Sequence, residues 1–595
     1  MVGTFRSNDI SMTDVLKKIS NGEVQLPDFQ RGWVWDDYRI KSLIASISNS
    51  YPVGAVMFLE YGGDSVRFKY RPFIGADVTG SPDELVLDGQ QRLTSIFCSM
   101  CSRKVVETVT EKKAEIKRFY YLDIRKCLDT SVDRIAAILS IPEDRMIKVD
   151  FGRRIELDIS TKEKEYENHL FPLNLVYDHM DSQAWQTEYY KYHNFDSEIT
   201  QMYMKFNSEV LMPIYSYKLP VITLDKAIPK EAVCQVFENV NTGGVALSVF
   251  ELVTATFAAD DFELRKDWDR IKEIFNKHMI LRNVTATDFL TSMTLLTGYT
   301  RHKNGGSAVS CKKKDVLNLS LQDYKANVDK LTNGFLEVSK FLQEQRIFSD
   351  RDLPYSTQLI PMSAVFTLLE NKVHDATVKS KISRWYWCGV FGEMYGGANE
   401  TRYALDVTGL LSWITENGKE PDTIGRAYFN PMRLLSLQTR LSAAYKGVMA
   451  LLLKAGCYDL ISGRAMDFTT FLDENIDIHH IFPRVYCENM KYKKEKWNSI
   501  VNKTPLFART NRILGGKAPS DYLSRIEKDN KVVQADLDRY IESHKINIED
   551  IRKNNFESFV VSRAKDLLEL ISNAMGKSIS NRDSDEIITA FGERL

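Results

Sequence analysis

Two neighbouring histidines, His479 and His480, stand in the stretch ENIDIHHIFPRVY, with Asp477 two residues before the pair and Pro483 three residues after it. The chain of 595 residues holds only nine histidines, so the pairing calls for a chemical reading. At the end of a strand, adjacent side chains point to opposite sides. One ring can then face a metal while its neighbour faces an attacking water. Phosphodiester cleavage needs those parts: a nucleophile made from water, a group that takes its proton, and a cation that holds the phosphate and the leaving oxygen. Asn511 follows His480 by 31 residues, where a helix is expected to start after the basic FARTN loop. Strand, loop and returning helix would bring it to the same metal, with Arg512 and Lys517 near enough to hold phosphate. From Arg484 to Lys517 the chain carries nine Lys or Arg against two Glu. The plainer reading of such a run is a solvated charged face. Taken alone, a His-His pair is more often structural than catalytic.

The order Asp477, His480, Ile481, Phe482, Pro483, then Asn502 and, nine residues on, Asn511, resembles the HNH or ββα-metal endonucleases. The resemblance implies that His480 is the general base, that His479, Asn511 and Asp477 form the site of a divalent cation (Mg2+ or Mn2+), and that Asn502 steadies the hairpin. Many relatives carry an acidic residue where this chain has His479, which leaves the preferred cation open.

A second constellation lies near the N-terminus. LPDFQRGWVW is followed some sixty residues later by LDGQQRLTSI. The latter reads as a short strand, a turn at Asp88-Gly89, and a helix whose inner face is Leu93, Ile96, Phe97 and Met100. A helix N-terminus after a glycine turn offers backbone N–H groups to an anion. Gln90, Gln91 and Arg92 add side-chain donors, Gln30 and Arg31 face them from the other loop, and Asp88 suits a magnesium ion or a positioned water. The alternative is an internal hydrogen-bonded network of the same polar residues. These motifs, with FENVNTGGVALSVFEL, resemble the DGQQR domain of the GmrSD family over roughly residues 10 to 260, and the HNH likeness covers roughly 440 to 570. The resemblance implies a ParB/sulfiredoxin-like fold that binds and hydrolyses a nucleoside triphosphate, with Asp88, Gln91 and Arg92 in the reaction and Gln30, Arg31, Gly89 and Gln90 in nucleotide binding. Both halves in one chain resemble modification-dependent (type IV) restriction enzymes of antiphage defence. The implied substrate is double-stranded phage DNA carrying modified bases or backbone. Many restriction enzymes need two active sites to break both strands, which makes a second copy of the chain a further expected partner.

The elements that must position these groups are partly readable. Ile40, Leu43, Ile44 and Ile47 mark an amphipathic helix capped by Asp36 or Asp37, AVMFLE a following strand, and Ser248 with Glu251 a capping box. Residues 105 to 230 mix charged runs with aromatic segments and yield no chemistry. About 255 to 460 reads as helical, including RWYWCGVFGEMYGGANETRYALDV as a packed helix pair. Trp33, Trp35, Tyr38 and the aromatics of the middle region read mostly as core, and sequence does not mark any of them as a modified-base pocket. Cys98 and Cys101 form a C-x-x-C inside a buried-helix pattern, without a second pair for zinc. The expected fold is α+β and multidomain: an α/β domain over 1–260, a helical region over 261–440, and a ββα-metal domain among helices over 441–595. Hydrophobic content of 44% and charged content of 27% exclude disordered and fibrous classes. With 79 Lys and Arg against 80 Asp and Glu, any nucleic-acid surface must be local. The N-terminus lacks a signal-peptide core and no apolar run spans a membrane, so a bacterial cytoplasmic protein is expected. An NTP-regulated DNA endonuclease is the favoured function. The alternatives are a ParB-like nucleotide-switched DNA-binding protein without cleavage, and a nuclease toxin acting on RNA or unmodified DNA.

Overall fold

The computed structural model describes residues 5–28, 30, 32–62, 68–111, 113–149, 154–229, 232–233, 236, 248–473 and 476–595. Arg31 and the FENVNTGGVAL block lie outside the described residues. The chain divides into two compact units, Met1–Leu264 and Arg265–Leu595. The first is built on sheets and the second is largely helical, a mixed α+β chain. None of the described helices is long and apolar enough to cross a membrane.

The first unit has a six-stranded mixed sheet. Its strands are β1 (Phe5–Ser11), β2 (Val24–Pro27), β3 (Val56–Glu60), β4 (Tyr70–Arg71), β5 (Glu84–Asp88) and β12 (Lys218–Leu224), in the order β1-β12-β3-β5-β2-β4. Between β5 and β12 run β6 (Val106–Val109), β7 (Glu115–Asp123), β8 (Ile138–Pro142), β9 (Met146–Val149), β10 (Arg154–Asp158) and β11 (Leu170–Pro172). Of these, β7 pairs with β6, β8 and β11 in a second sheet, and β9 with β10 in a hairpin. Helix α1 (Met12–Asn21) buries Met12, Val15, Leu16 and Ile19 on one face, with Ser11 capping its start. Helix α2 (Asp37–Ser48) buries Ile40, Leu43, Ile44 and Ile47, and Asp36 accepts the Arg39 N–H at 2.9 Å. Helix α3 (Gln90–Met100) leaves β5 through Gly89, whose φ of +91° only glycine adopts without strain. A Cβ there would also stand 2.5 Å from Val56 Cγ1. The turn therefore demands glycine twice over, for its dihedral and for the approach of β3.

The second unit is a set of packed helices that includes one short two-stranded hairpin. Leu359–Leu369, apolar on nearly every face, lies among Leu321–Glu344, Ala286–Lys303 and Glu400–Thr415. The aromatic segment forms the helix Ala376–Phe391 and the helix Glu400–Thr415. Helix Phe556–Met575 contacts both Ala376–Phe391 and Ala443–Lys454. Two strands, β13 (Ile476–His480) and β14 (Lys503–Phe507), pair antiparallel with His479 opposite Thr504 and His480 opposite Lys503. The helix Ala508–Leu514 comes directly after β14 and contacts both strands.

Candidate active site

Buried residues just past β13 fix the end of that strand. Ile481 and Phe482 are both in the core, and Phe482 packs against Phe559 at 5.0 Å and Phe556 at 5.2 Å between ring centroids. Asn502 closes the loop between the strands from a fully buried position. It accepts the Phe482 N–H and donates to the Phe482 and Trp497 carbonyls, each at 2.8 Å. Every polar atom of that amide serves the backbone, so Asn502 holds the loop and has nothing left for a phosphate.

The strand alternation then separates the two histidines. His479 Nδ1 lies 2.8 Å from Asn511 Oδ1, and Asn511 Nδ2 donates to Asp477 Oδ2 at 2.7 Å. Asp477 Oδ1 pairs with Arg440 at 3.2 Å. Asp477 thus touches the pair through the Asn511 amide, which it turns so that Oδ1 faces the imidazole. His479 Nε2 is buried without a hydrogen-bond partner among the described residues. Burial pushes its pKa down to about 4, so the ring is neutral across the working range.

His480 faces the other way, half-buried. Its Nε2 lies 3.3 Å from Asn498 Oδ1, whose amide nitrogen reaches Gln438 Oε1 at 3.4 Å. With an oxygen as acceptor, Nε2 carries the proton and the lone pair is on Nδ1. Burial, and then the Lys503 cation, lower its pKa below the usual 6.5. Lys503 donates to the Gln438 carbonyl at 2.6 Å, and burial brings its own pKa down to about 8.

These residues fit a divalent cation. With an oxygen as acceptor, His479 Nδ1 carries the proton, so a cation between the two atoms would require that proton to move to Nε2, the nitrogen without a partner among the described residues. With Nδ1 freed, an imidazole nitrogen and an amide oxygen 2.8 Å apart match adjacent ligands of a six-coordinate ion with bonds of about 2.0–2.1 Å, which stand about 2.9 Å from one another. Among the described residues no three His, Cys, Asp or Glu side chains gather into a metal cage. An ion held by two protein atoms would keep several waters or take substrate oxygens instead. Arg512 and Lys517 are exposed on and just beyond the helix Ala508–Leu514. Of the nine cations counted from Arg484 to Lys517, Lys496 and Lys503 are buried, which trims the patch to seven exposed groups.

Sequence spacing did not single out Asn498, Gln438, Arg440 or Arg563. The last is fully buried and donates to the Lys503 carbonyl at 2.9 Å, anchoring the start of β14. Asp459, also fully buried, accepts from Thr510 at 2.8 Å and so ties the helix that carries Asn511. These groups come from distant loops and helices, and no local pattern marks them.

At the DGQQR turn the polar side chains serve the fold. Arg92 donates to the carbonyls of Val53 (2.6 Å) and Ala55 (2.8 Å) and to Asp88 (3.0 Å). Gln91 accepts the Val34 N–H at 2.9 Å and donates to the Gly32 carbonyl at 3.1 Å. Gln30 donates to the carbonyls of Val86 (2.8 Å) and Leu87 (3.1 Å), while its Oε1 is buried without a partner among the described residues. Gln90 is buried. The arrangement stitches Gln30, Gly32, Val34, Val53 and Ala55 to the turn, an internal network of the kind that the sequence left as the alternative. The Cys98 thiol is pushed up to about 12 by burial, which makes it inert.

Residues 12–258 match the family model described as the GmrSD restriction endonuclease, N-terminal domain. The match lies within the first unit and marks that unit as similar to the N-terminal domain of such enzymes. Over nearly its whole length the chain is also similar to an uncharacterized protein of Methanocaldococcus jannaschii. The two are 27% identical, with 94% of this chain and 98% of the other covered.

Proposed function

We propose that this chain is a metal-dependent DNA endonuclease with His480 as general base and the divalent cation held by His479 and Asn511. The observation that carries the reading is the 2.8 Å contact between His479 and Asn511 on one side of β13, with a neutral His480 on the other. His480 Nδ1 takes the proton of the attacking water while Asn498 holds the ring by Nε2. Asp477 keeps the Asn511 oxygen aimed at His479. The cation, when bound, supplies positive charge to the scissile phosphate and the leaving oxygen. Arg512 and Lys517 hold flanking phosphates.

The N-terminal unit serves as sensor and regulator. A nucleoside triphosphate with Mg2+ engaging Asp88 to Arg92, Gln30 and Arg31 would draw Arg92 from the Val53 and Ala55 carbonyls. Nucleotide binding is thereby coupled to the seating of α3 on β3. The setting is the bacterial cytoplasm, and the target is phage DNA with modified bases or backbone. The test is cleavage of unmodified, glucosylated hydroxymethylcytosine and phosphorothioated DNA with Mg2+ or Mn2+ and each NTP in turn. Cutting of one modified DNA, lost in His480→Ala and altered in its NTP response by Arg92→Ala, is the expected result. If NTP is turned over but no DNA is cut under any condition, the nuclease reading falls. A clamp-like DNA-binding protein or an RNA-directed nuclease then replaces it.

A further inference from the structure

The first unit contains a cavity of about 320 Å³ that no motif led to, between the C-terminal end of α3, β7 and the helices Lys162–Glu167 and His179–Tyr192. Its buried wall is aromatic: Tyr121, Tyr166 and Trp185. Among them sits Glu165, only 3% exposed. Glu165 Oε1 accepts from Tyr121 at 3.0 Å and from Arg145 at 3.4 Å, and Oε2 accepts from Trp185 at 3.1 Å. A carboxylate offers about four acceptor sites, so this one has room for a further donor. Burial raises its pKa, the perturbation that accompanies binding sites more often than plain core. The exposed part of the lining carries Arg103, Lys104 and Lys162 together with Asp181 and Glu188. Arg103 is engaged by Asp178 and Asp181, and Lys104 by Asp77.

Each part selects for something. Aromatic walls favour a flat ring, the inner carboxylate favours a ring that donates N–H, and Lys162, the rim cation with no ion pair among the described residues, offers a contact to an anionic tail. The volume lies at the small end of ligand pockets, suited to one nucleotide rather than two. We propose that this cavity takes a single nucleobase bearing an exocyclic amino group, with Glu165 accepting its N–H, the aromatic wall packing on the ring and Lys162 holding its phosphate. The base comes either from a free nucleotide or from a nucleotide turned out of a DNA duplex.

The proposal rests on the nucleic-acid reading of the protein, but it is measured without cleavage. Full-length His480→Ala protein is dialysed against dAMP, dCMP, dGMP and dTMP, and titrated into duplexes containing 2-aminopurine. The expected result is saturable binding of the amino-bearing nucleotides, about tenfold weaker in Glu165→Gln, while dTMP, which offers only its ring N3–H, tells an amino donor from a ring donor. Lys162→Ala, on the exposed rim, is expected to weaken dCMP several-fold while leaving deoxycytidine unchanged, a split that misfolding does not produce. A rise in 2-aminopurine fluorescence assigns the base to duplex DNA, and nucleotide binding without that rise assigns it to the free nucleotide. The proposal is overturned if no nucleotide binds and fluorescence stays flat, or if Glu165→Gln and Lys162→Ala both bind as their parent does. Loss of cutting in His480→Ala with base binding intact would leave the cavity and the nuclease site independently testable.

Discussion

At the scale of single residues, the two histidines differ in environment more than in chemistry. Both are neutral because burial penalises the imidazolium, yet only His480 turns a half-exposed ring toward the site where water would arrive. A base with a lowered pKa stays unprotonated further into acid. The acid limb of kcat/KM should therefore fall below pH 6.5, with activity lost as pH drops through it. Asn498→Asp places a carboxylate on Nε2 in place of an amide oxygen and favours the charged ring. The limb is expected to move up by about one unit or more, and a profile unchanged in that variant would remove His480 from the role. In the proposed site, His479 would set the choice of cation. Imidazole suits transition metals, whereas carboxylate and amide oxygens suit magnesium. Wild type should accordingly cut better with Mn2+ than with Mg2+, and His479→Asp should narrow or reverse that preference. Equal rates with both ions in both proteins would separate His479 from the metal.

At the scale of elements, the hairpin is held by its five-pair ladder and, at its loop, by Asn502. Asn502 makes three hydrogen bonds from a fully buried site, and removing it strands two carbonyls and an N–H away from water. Asn502→Ala should cost about 2–4 kcal/mol in urea unfolding and lower cleavage, because the end of β13 loosens with the loop. A variant as stable as wild type would mean that the loop is held elsewhere. The order of His480, Asn502 and Asn511 was legible because all three belong to one local strand–loop–strand–helix unit. Asn498 and Gln438 were not, since nothing in their spacing relates them to His480. The DGQQR polar residues were ambiguous for a different reason. The same guanidinium can bind phosphate or carbonyls, and its acceptors are backbone carbonyls, of Val53 just before the expected strand AVMFLE and of Ala55 at its start, which leave no mark in side-chain spacing. Residues 105–230 hid their chemistry because the strands of the second sheet mix inward aromatics with outward charges. Glu165 and Trp185 meet across two separate helices, and their 20-residue separation carries no periodic signal.

At the scale of the whole molecule, a net charge of −1 gives DNA no general attraction, so binding must come from a local field. Seven exposed cations lie between Arg484 and Lys517, and one of them, Arg484, is already paired with Glu488. Each phosphate contact releases about one counterion, so the affinity should fall steeply with salt. Five or six contacts would give a log–log slope of about −5. Arg512→Ala and Lys517→Ala should each flatten it by about one without changing which DNA is preferred. Lys340→Ala removes an exposed cation paired with Glu337 far along the chain and should leave the slope alone. Flattening by Lys340→Ala and not by the other two would mean that DNA enters over a different face. The distinction matters for the cation as well. With only two protein ligands, its affinity should rise when DNA supplies phosphate oxygens, so Mn2+ binding and DNA binding should strengthen each other by the same factor. Weakening the phosphate grip at Arg512 should then weaken Mn2+ only when DNA is present, which calorimetry with and without an uncleavable duplex would read directly.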